Sequence, residues 1–183
     1  YPICWRCKSE IVFRLVPAWY IKTSEIKPKL IECANSVKWE PASNGKRMND
    51  WLTNMGDWNI SRKRYYGMPL PFYPCDCGHI TVIGSKAELR EKAVDPAQVD
   101  ALPELHRPWV DAVKIKCPHC GKEVSRVSDI GDVWLDAGIV PFSTFGYFTD
   151  REAWEKNFPA EWVTEMHEQV RLWFYSMLFM STV

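Results

Sequence analysis

Two short turns, Cys75-Asp-Cys77-Gly and Cys117-Pro-His-Cys120-Gly, decide the fold of this 183-residue chain. Each ends in glycine and precedes a short apolar, β-branched run. Four thiolates presented from two such turns form a closed tetrahedral zinc site, and glycine lets the backbone curl beneath the sulfurs. We therefore predict a structural zinc ribbon with ligands Cys75, Cys77, Cys117 and Cys120, the alternative being two pairs of reduced cysteines. A closed site has no open coordination position, so the function is expected elsewhere in the chain.

The charge balance argues against a strongly basic nucleic-acid binder, and the cysteine usage argues for a reducing compartment. Lys+Arg and Asp+Glu both number 23, so no overall basic field indicates a nucleic-acid binder, and any contact with RNA would be local. The seven cysteines follow metal-site spacing, which together with the absence of a signal-like N-terminus predicts a reducing, cytoplasmic location. No apolar run reaches the roughly 20 residues of a membrane span.

A third cysteine pair, Cys4-Trp-Arg-Cys7, has the spacing of half a metal site. Only Cys33 remains to complete it within this chain. Either its partner cysteines lie upstream, or Cys4 and Cys7 are ordinary thiols, and spacing alone leaves both open.

Periodicity and turn residues predict short helices and strands along the chain. Helices are expected over 26–37 and 45–55, after capping boxes at Ser85 and Thr149, and from about His167 onward. Strands are expected over 10–16, 113–116, 131–138 and 161–165, extended chain at the prolines of 69–74, and a loop over 95–109.

The C-terminal helical pattern is apolar on almost every side. Its expected core stripe is Val170, Trp173, Phe174, Met177 and Leu178, with further apolar residues off the stripe. A helix of this kind needs cover nearly all round, which predicts that the chain is a piece of a larger protein.

Two polar stretches could bind ligands. Arg62-Lys63-Arg64-Tyr65-Tyr66 is either a solvated turn or a contact for phosphates and stacked bases. Glu165, Glu168 and Gln169 follow a predicted strand, where ligands bind in open α/β sheets, although helix capping is an equally good interpretation.

Several stretches, in order, resemble class I aminoacyl-tRNA synthetases of the isoleucine/valine/leucine group. Residues 57–67, Asp-Trp-Asn-Ile-Ser-Arg-Lys-Arg-Tyr-Tyr-Gly, are similar to the family's W-x-I-S-R-Q-R-Y-W-G segment. Residues 132–138, Asp-Val-Trp-Leu-Asp-Ala-Gly, resemble D-V-W-F-D-S-G, and residues 165–174 resemble E-G-x-D-Q-x-R-G-W-F. Residues 1–7 resemble the chain's re-entry after the inserted editing domain. The pattern over residues 165–174 favours the isoleucine-specific branch, while Pro141-Phe-Ser-Thr-Phe145 keeps the valine-specific branch as the alternative.

The resemblance implies roles for particular residues. Glu165 would hold the amino acid's ammonium group, and Glu168 and Gln169 would contact the ribose side of the adenylate. Trp134 and Trp173 would wall the aliphatic pocket. Arg62 and Arg64 are weaker candidates for contact with tRNA, and no residue of this chain is assigned to catalysis.

The resemblance also implies a fold and a reaction. The fold is part of a Rossmann-like α/β catalytic domain, divided into a segment re-entering from the editing insertion (1–72), a zinc-ribbon insertion (73–128) and a part of the nucleotide-binding domain (129–183). The whole enzyme, expected to be monomeric, would activate isoleucine with ATP and transfer it to tRNA. Since this sequence contains no H-I-G-H, no K-M-S-K-S and no editing domain, the chain alone is expected to be inactive. The rival from another class is a stand-alone zinc ribbon that binds RNA or protein.

Overall fold

The computed structural model describes residues 1–183, which form short strands and mostly short helices. The strands are β1 (Tyr20–Ile21), β2 (Trp58–Asn59), β3 (Ser61–Arg62), β4 (Phe72–Pro74), β5 (Ile80–Val82), β6 (Lys114–Lys116), β7 (Glu123–Ser125) and β8 (Ile130–Gly131). The α-helices are α1 (Lys27–Ser36), α2 (Ser43–Asn54), α3 (Lys86–Lys92), α4 (Pro96–Asp100), α5 (Val133–Gly138), α6 (Val140–Ser143), α7 (Arg151–Asn157) and α8 (Trp173–Thr182). Single 3-10 turns lie at Thr23–Glu25, Trp109–Ala112 and His167–Arg171. None of the helices has the length and apolar character needed to cross a membrane.

The expected ribbon is built from two hairpins, β4–β5 and β6–β7, each closed by one cysteine turn. Side chains alternate inward along the strands, so that Tyr73 and Ile115 are 2% and 0% exposed. Helices α3 and α4 close the core of this unit through Leu89 and Val99. The predicted strand over 113–116 and the helix after Ser85 are therefore confirmed.

A second core joins α1, α2 and α8. Leu30, Met48, Leu52 and Val170 are each fully buried in it. The two predicted helices over 26–37 and 45–55 are confirmed as α1 and α2, and their apolar stripes face each other.

Arg126 connects the ribbon to the proline-rich segment that leads into it. Its side chain is 1% exposed, donates to the carbonyl oxygens of Leu70 (3.0 Å) and Asp129 (2.9 Å), and pairs with Asp111. Burial raises the pKa of Asp111, but hydrogen bonds from Arg126 and Arg107 outweigh it and lower that pKa below its usual value. A buried guanidinium is thus neutralised where the two parts of the chain meet.

The α/β class is present, but no sheet has more than two strands. The eight strands form four two-stranded antiparallel ladders, β1–β2, β3–β8, β4–β5 and β6–β7. The parallel strands of a doubly wound, Rossmann-like sheet are not among these pairings, so that finer part of the prediction is not seen within this chain.

Two predicted strands do not form. Residues 10–16 form only an isolated antiparallel bridge, between Glu10 and Ile3, and Phe13 and Leu15 are fully exposed. Residues 161–165 are irregular and exposed. Alternating apolar residues form a strand only where a neighbouring strand supplies hydrogen bonds, and neither segment has such a neighbour along its length.

Two further predictions are wrong because a capping aspartate starts a helix. Of the predicted strand over 131–138, only Gly131 lies in a strand, β8, before Asp132 accepts from the backbone N–H of Trp134 and begins α5. The predicted loop over 95–109 contains α4, which Asp95 caps and Pro96 opens. The cap of α7 is Asp150 rather than the predicted Thr149.

The C-terminal helix has a different core face from the predicted one. It begins as a 3-10 turn at His167, and its most deeply buried aromatic residues are Tyr175 and Phe179 rather than Trp173 or Phe174. The ring of Trp58 lies 5.5 Å from Tyr175 and 5.1 Å from Phe179, which fixes that face. No residue from 172 to 180 is exposed, so this chain itself covers the helix nearly all round, and the inference of a larger protein from missing cover gains no support from this helix.

Candidate functional site

The four predicted ligands come together as one cluster. The Sγ atoms of Cys75, Cys77, Cys117 and Cys120 all lie within 4.8 Å of one another. Sulfur pairs across the two turns are 3.4 Å (Cys75–Cys120) and 3.7 Å (Cys77–Cys117) apart. Since Zn–S bonds are about 2.3 Å, the sulfurs of a tetrahedral zinc site are about 3.8 Å apart. The cluster therefore has the donor set and size of a zinc site.

The two turns share a backbone geometry that aims both sulfurs inward. Gly78 and Gly121 have φ of 88° and 73°, in the left-handed region that favours glycine. Their N–H groups donate to the carbonyl oxygens of Cys75 and Cys117, both at 2.9 Å. This geometry is the reason for the glycine after each cysteine pair.

The pKa values of the thiols are shifted in different directions by their surroundings. Burial raises the pKa of Cys117, but backbone N–H groups of Cys120 and His119 outweigh it and lower that pKa to about 7. For Cys75, a backbone N–H of Cys77 lowers the pKa, yet burial and hydrogen bonds with neighbouring thiols raise it overall. Negative charge thus settles first on Cys117, and a bound cation would favour deprotonation of the others.

The Cys4–Cys7 pair has the same turn geometry as the second ribbon turn. Lys8 donates its N–H to the carbonyl of Cys4 (2.9 Å) and Cys4 donates to that of Ser9 (2.8 Å), at the same sequence offsets as in the turn that begins at Cys117. Lys8 has the left-handed φ of 63° that glycine has there. Hydrogen bonds from Ser9 lower the pKa of Cys7 to about 7. No third ligand lies nearby, because the four-cysteine cluster is the only group of three or more potential ligands.

Asp132 is the centre of a second polar site, which sequence reasoning did not single out. The carboxylate is buried, and its Oδ2 accepts from Nη2 of Arg62 (2.6 Å) and Nε1 of Trp58 (3.2 Å). Its Oδ1 caps α5 at the N–H of Trp134 (3.1 Å). Antiparallel pairing of Ser61 with Gly131 holds the two segments in register. Asp132 therefore joins the segment 57–67 to the segment 132–138, and an aspartate directly after a short apolar strand was the available signal.

The third motif-like segment packs on the same helix. A Cβ at Gly138 would lie 2.8 Å from the carbonyl oxygen of Ser176, so the backbones of α5 and α8 approach each other closely at this point. Nε1 of Trp173 donates to the carbonyl of Ala137 at 2.9 Å. The three segments that resemble the synthetase family are thus assembled around α5.

A cavity of about 330 Å³ lies beside Asp132. Trp134 and Arg62, two of the predicted site residues, line it, together with Trp51, Trp58 and Tyr175. Nε1 of Trp51 is buried and has no hydrogen-bond partner. The lining combines these four aromatic residues with polar and charged side chains, among them Arg171 and the ion-paired carboxylate of Asp132, which suits an aliphatic group carrying a polar end.

The other predicted binding residues lie outside that cavity. Glu165 and Glu168 are exposed, and Oε1 of Gln169 accepts from the backbone N–H of Trp173 at 3.3 Å. Trp173 is half-buried against α5 and does not line the cavity. In this chain these residues form the approach to α8 and are not gathered around a common ligand.

In the basic-aromatic segment, the first two residues are ion-paired and the last three are exposed. Arg62 is paired with Asp132, and Lys63 donates to both oxygens of Asp129 (2.8 and 2.9 Å). Arg64 and the two tyrosines that follow it are exposed. Contact of Arg62 and Arg64 with RNA stays a prediction; the guanidinium of Arg62 is paired with a buried carboxylate, whereas Arg64 is unpaired and exposed.

Comparison with known proteins supplies the family. Residues 6–183 match the family model described as tRNA synthetases class I (I, L, M and V). The isoleucine–tRNA ligase of Clostridium novyi (strain NT) is 42% identical over all of this chain, and that of Methanopyrus kandleri is 42% identical over 97% of it. That of Methanoculleus marisnigri is 44% identical over the whole chain.

The chain spans 17% to 18% of the length of these curated relatives. Among solved structures, a leucyl enzyme of Agrobacterium radiobacter K84 in complex with tRNA and LeuAMS matches 64% of this chain and 16% of its own, with 19% identity and a TM-score of 0.30, a likeness too low to carry an argument. The family model and the full-length identities are sufficient by themselves: this chain belongs to the class I aminoacyl-tRNA synthetases, in the group whose members act with isoleucine, leucine, methionine or valine.

Proposed function

We propose that this chain is the part of an isoleucyl-tRNA synthetase that carries one wall of the amino-acid site and a zinc ribbon. The whole enzyme, in the cytoplasm, would use ATP to convert isoleucine to its adenylate and then transfer the aminoacyl group to tRNA. The observation that carries the proposal is the assembly of three family-like segments around α5, with Trp134 facing an aromatic cavity beside Asp132. The catalytic architecture completed by the rest of the enzyme would be Rossmann-like.

The proposed binding roles come from the resemblance to the family, and the chemistry of the side chains is compatible with them. Trp134 would contact the aliphatic side chain, with Trp173 behind it on α8. The exposed carboxylate of Glu165 makes no ion pair and that of Glu168 has only the His167 ring nearby, at 3.8 Å, so both can accept hydrogen bonds from an ammonium group or ribose hydroxyls. Gln169 would join them from the same turn.

The metal would be zinc held by Cys75, Cys77, Cys117 and Cys120. The spacing of the sulfurs supports this choice, and a closed thiolate set supplies folding stability to the ribbon rather than a reactive water. Cys4 and Cys7 would form one half of a second such site whose other ligands come from outside this chain.

Valine is the alternative substrate, because Pro141–Phe145 has a valyl-like sequence and the family model includes valine-specific members. An apolar pocket separates substrates that differ by one methylene by only about 1–3 kcal/mol, and isoleucine against valine in a synthetase is the standard example of this limit.

The test is steady-state kinetics of the full-length enzyme with Trp134→Ala. Removing one wall of the aliphatic pocket should raise the KM for isoleucine about tenfold or more while the KM for ATP changes little. Trp162→Ala, at an indole that is 73% exposed, is the matched control. Equal KM values for isoleucine in the two variants would contradict the assignment of Trp134 to the amino-acid site.

A further inference from the structure

Two tyrosines of the basic-aromatic segment form an exposed surface together with the ribbon. Tyr65 and Tyr66 are 60% and 75% exposed, and each is backed by a residue from the loop before the 3-10 turn at Trp109. The ring of Tyr66 stacks on that of His106 with centroids 5.5 Å apart and planes 3° apart. The guanidinium of Arg107 lies over the ring of Tyr65 at 5.1 Å. We call these four residues the tyrosine platform.

The platform is held in place from below. Arg107 donates to Asp111 at 2.7 Å and Asp111 also pairs with the buried Arg126. On the other side, Lys63 is fixed to the buried Asp129. A pair of exposed rings that is anchored at both ends loses little conformational freedom when a ligand stacks on it.

Among the cationic side chains next to the platform, only that of Arg64 makes no ion pair. The neighbours Arg62 and Lys63 are each paired with a carboxylate, whereas Arg64 is exposed and makes no ion pair. The backbone carbonyl of Arg64 accepts weakly from Arg107 (3.5 Å), which places the two cationic residues next to the rings. Aromatic faces beside one unpaired guanidinium group, that of Arg64, suit a flat, anionic chain, which is the chemistry of single-stranded nucleic acid.

We propose that the tyrosine platform binds unpaired nucleotides, with bases stacked on Tyr65 and Tyr66 and phosphates next to Arg64. The proposal rests on the proposed function only in that tRNA would be the natural source of such nucleotides. In this proposal the two tyrosine rings contact the bases. His106 and Arg107 support those rings from behind.

The experiment measures fluorescence anisotropy of a fluorescein-labelled, 12-nucleotide single-stranded RNA titrated with this 183-residue chain. Tyr66→Ala should weaken binding between about fivefold and a hundredfold, because a stacked base is worth about 1–3 kcal/mol. Tyr66→Phe keeps the aromatic face and should bind like the parent chain. Tyr1→Ala, at a tyrosine that is 82% exposed and distant in sequence, is the matched control.

Salt dependence tests the phosphate contact separately. Each phosphate neutralised on a single strand contributes about −0.7 to the slope of log K against log salt, so Arg64→Ala should make that slope shallower by about 0.7. Circular dichroism confirms that each variant is folded.

Binding that is equal in the parent chain, Tyr66→Ala and Tyr1→Ala would overturn the proposal, as would loss of binding in Tyr66→Phe. Preference for the same RNA as a duplex would also overturn it, since paired bases present no free faces. These outcomes involve neither isoleucine nor ATP, so they are distinct from a failure of the proposed synthetase function.

Discussion

Asp132→Asn is the substitution that most directly probes how the family-like segments are joined. Asparagine keeps the size of aspartate, and its carbonyl oxygen can still cap α5 at the N–H of Trp134. Its amide NH2 group would instead face two donors, the guanidinium of Arg62 and the indole N–H of Trp58. Both hydrogen bonds to the carboxylate would be lost, and the positive charge of Arg62 would have no partner.

The cost follows from the burial of the two partners. Breaking a buried ion pair by removing one partner costs about 3–5 kcal/mol, and the side chain of Asp132 is only 5% exposed. The side chain of Arg62 is 38% exposed and can be hydrated, which lowers the expected cost to about 2–3 kcal/mol. For a chain of this length the corresponding fall in Tm is about 4–12 °C.

Urea unfolding followed by circular dichroism measures this effect, with unchanged m values showing that the unfolded state is the same. Asp129→Asn is the matched control, because Asp129 is equally buried but its partner Lys63 is 57% exposed. The control should cost about 1 kcal/mol. Equal destabilisation by the two variants, or less than about 0.5 kcal/mol for Asp132→Asn, would refute the role of Asp132 as the joint between the segments.

Three other perturbations test separate parts of the structure. Cys117→Ser should abolish binding of one zinc per chain and unfold the ribbon, as measured by elemental analysis and NMR; a ribbon that stays folded without metal would contradict this. Gly138→Ala should lower the free energy of unfolding by about 1–3 kcal/mol, because its Cβ would lie 2.8 Å from the carbonyl oxygen of Ser176; a neutral effect in urea unfolding would argue against close packing of α5 on α8. Burial raises the pKa of Tyr175 to about 12, above the value of about 10 in an unfolded chain. Its contribution to stability is therefore complete below pH 10 and lost as pH rises through 12, and Tyr175→Phe should flatten the fall in stability measured over that range.

The sequence predicted the parts of the structure whose cause is local. The ribbon follows from cysteine pairs with a glycine at the left-handed position, and α1 and α2 follow from apolar residues at helical spacing. The capping box at Ser85 also holds, since Glu88 donates its N–H to the Ser85 hydroxyl at 3.1 Å.

Some failures are local, since Asp95 and Asp132 cap helices within segments predicted as a loop and a strand, and the others occur where the outcome depends on a distant partner. The alternation over 10–16 resembles a strand, but only Glu10 pairs with another residue, Ile3, and no strand lies beside the rest. The core face of α8 depends on where the Trp58 ring sits, more than a hundred residues earlier. Periodicity within one element cannot supply either fact.

The predictions for the candidate site also succeeded in part. Trp134 was predicted from resemblance and lines the cavity, whereas Glu165 and Glu168 remain exposed in this chain. The role of Asp132 was missed because an aspartate inside an apolar run was interpreted as part of a strand instead of as a helix cap. The pairing of Asp132 with Arg62 was missed for the related reason that the two residues lie 70 positions apart in sequence.

The central claim is that this chain forms part of an isoleucine-activating site. Isoleucine-dependent ATP–pyrophosphate exchange by the full-length enzyme, compared with valine-dependent exchange under the same conditions, tests it most directly. The account predicts a kcat/KM for isoleucine above that for valine, by the roughly 10- to 200-fold that one methylene allows. Exchange that is faster with valine, or that depends on neither amino acid, would contradict it.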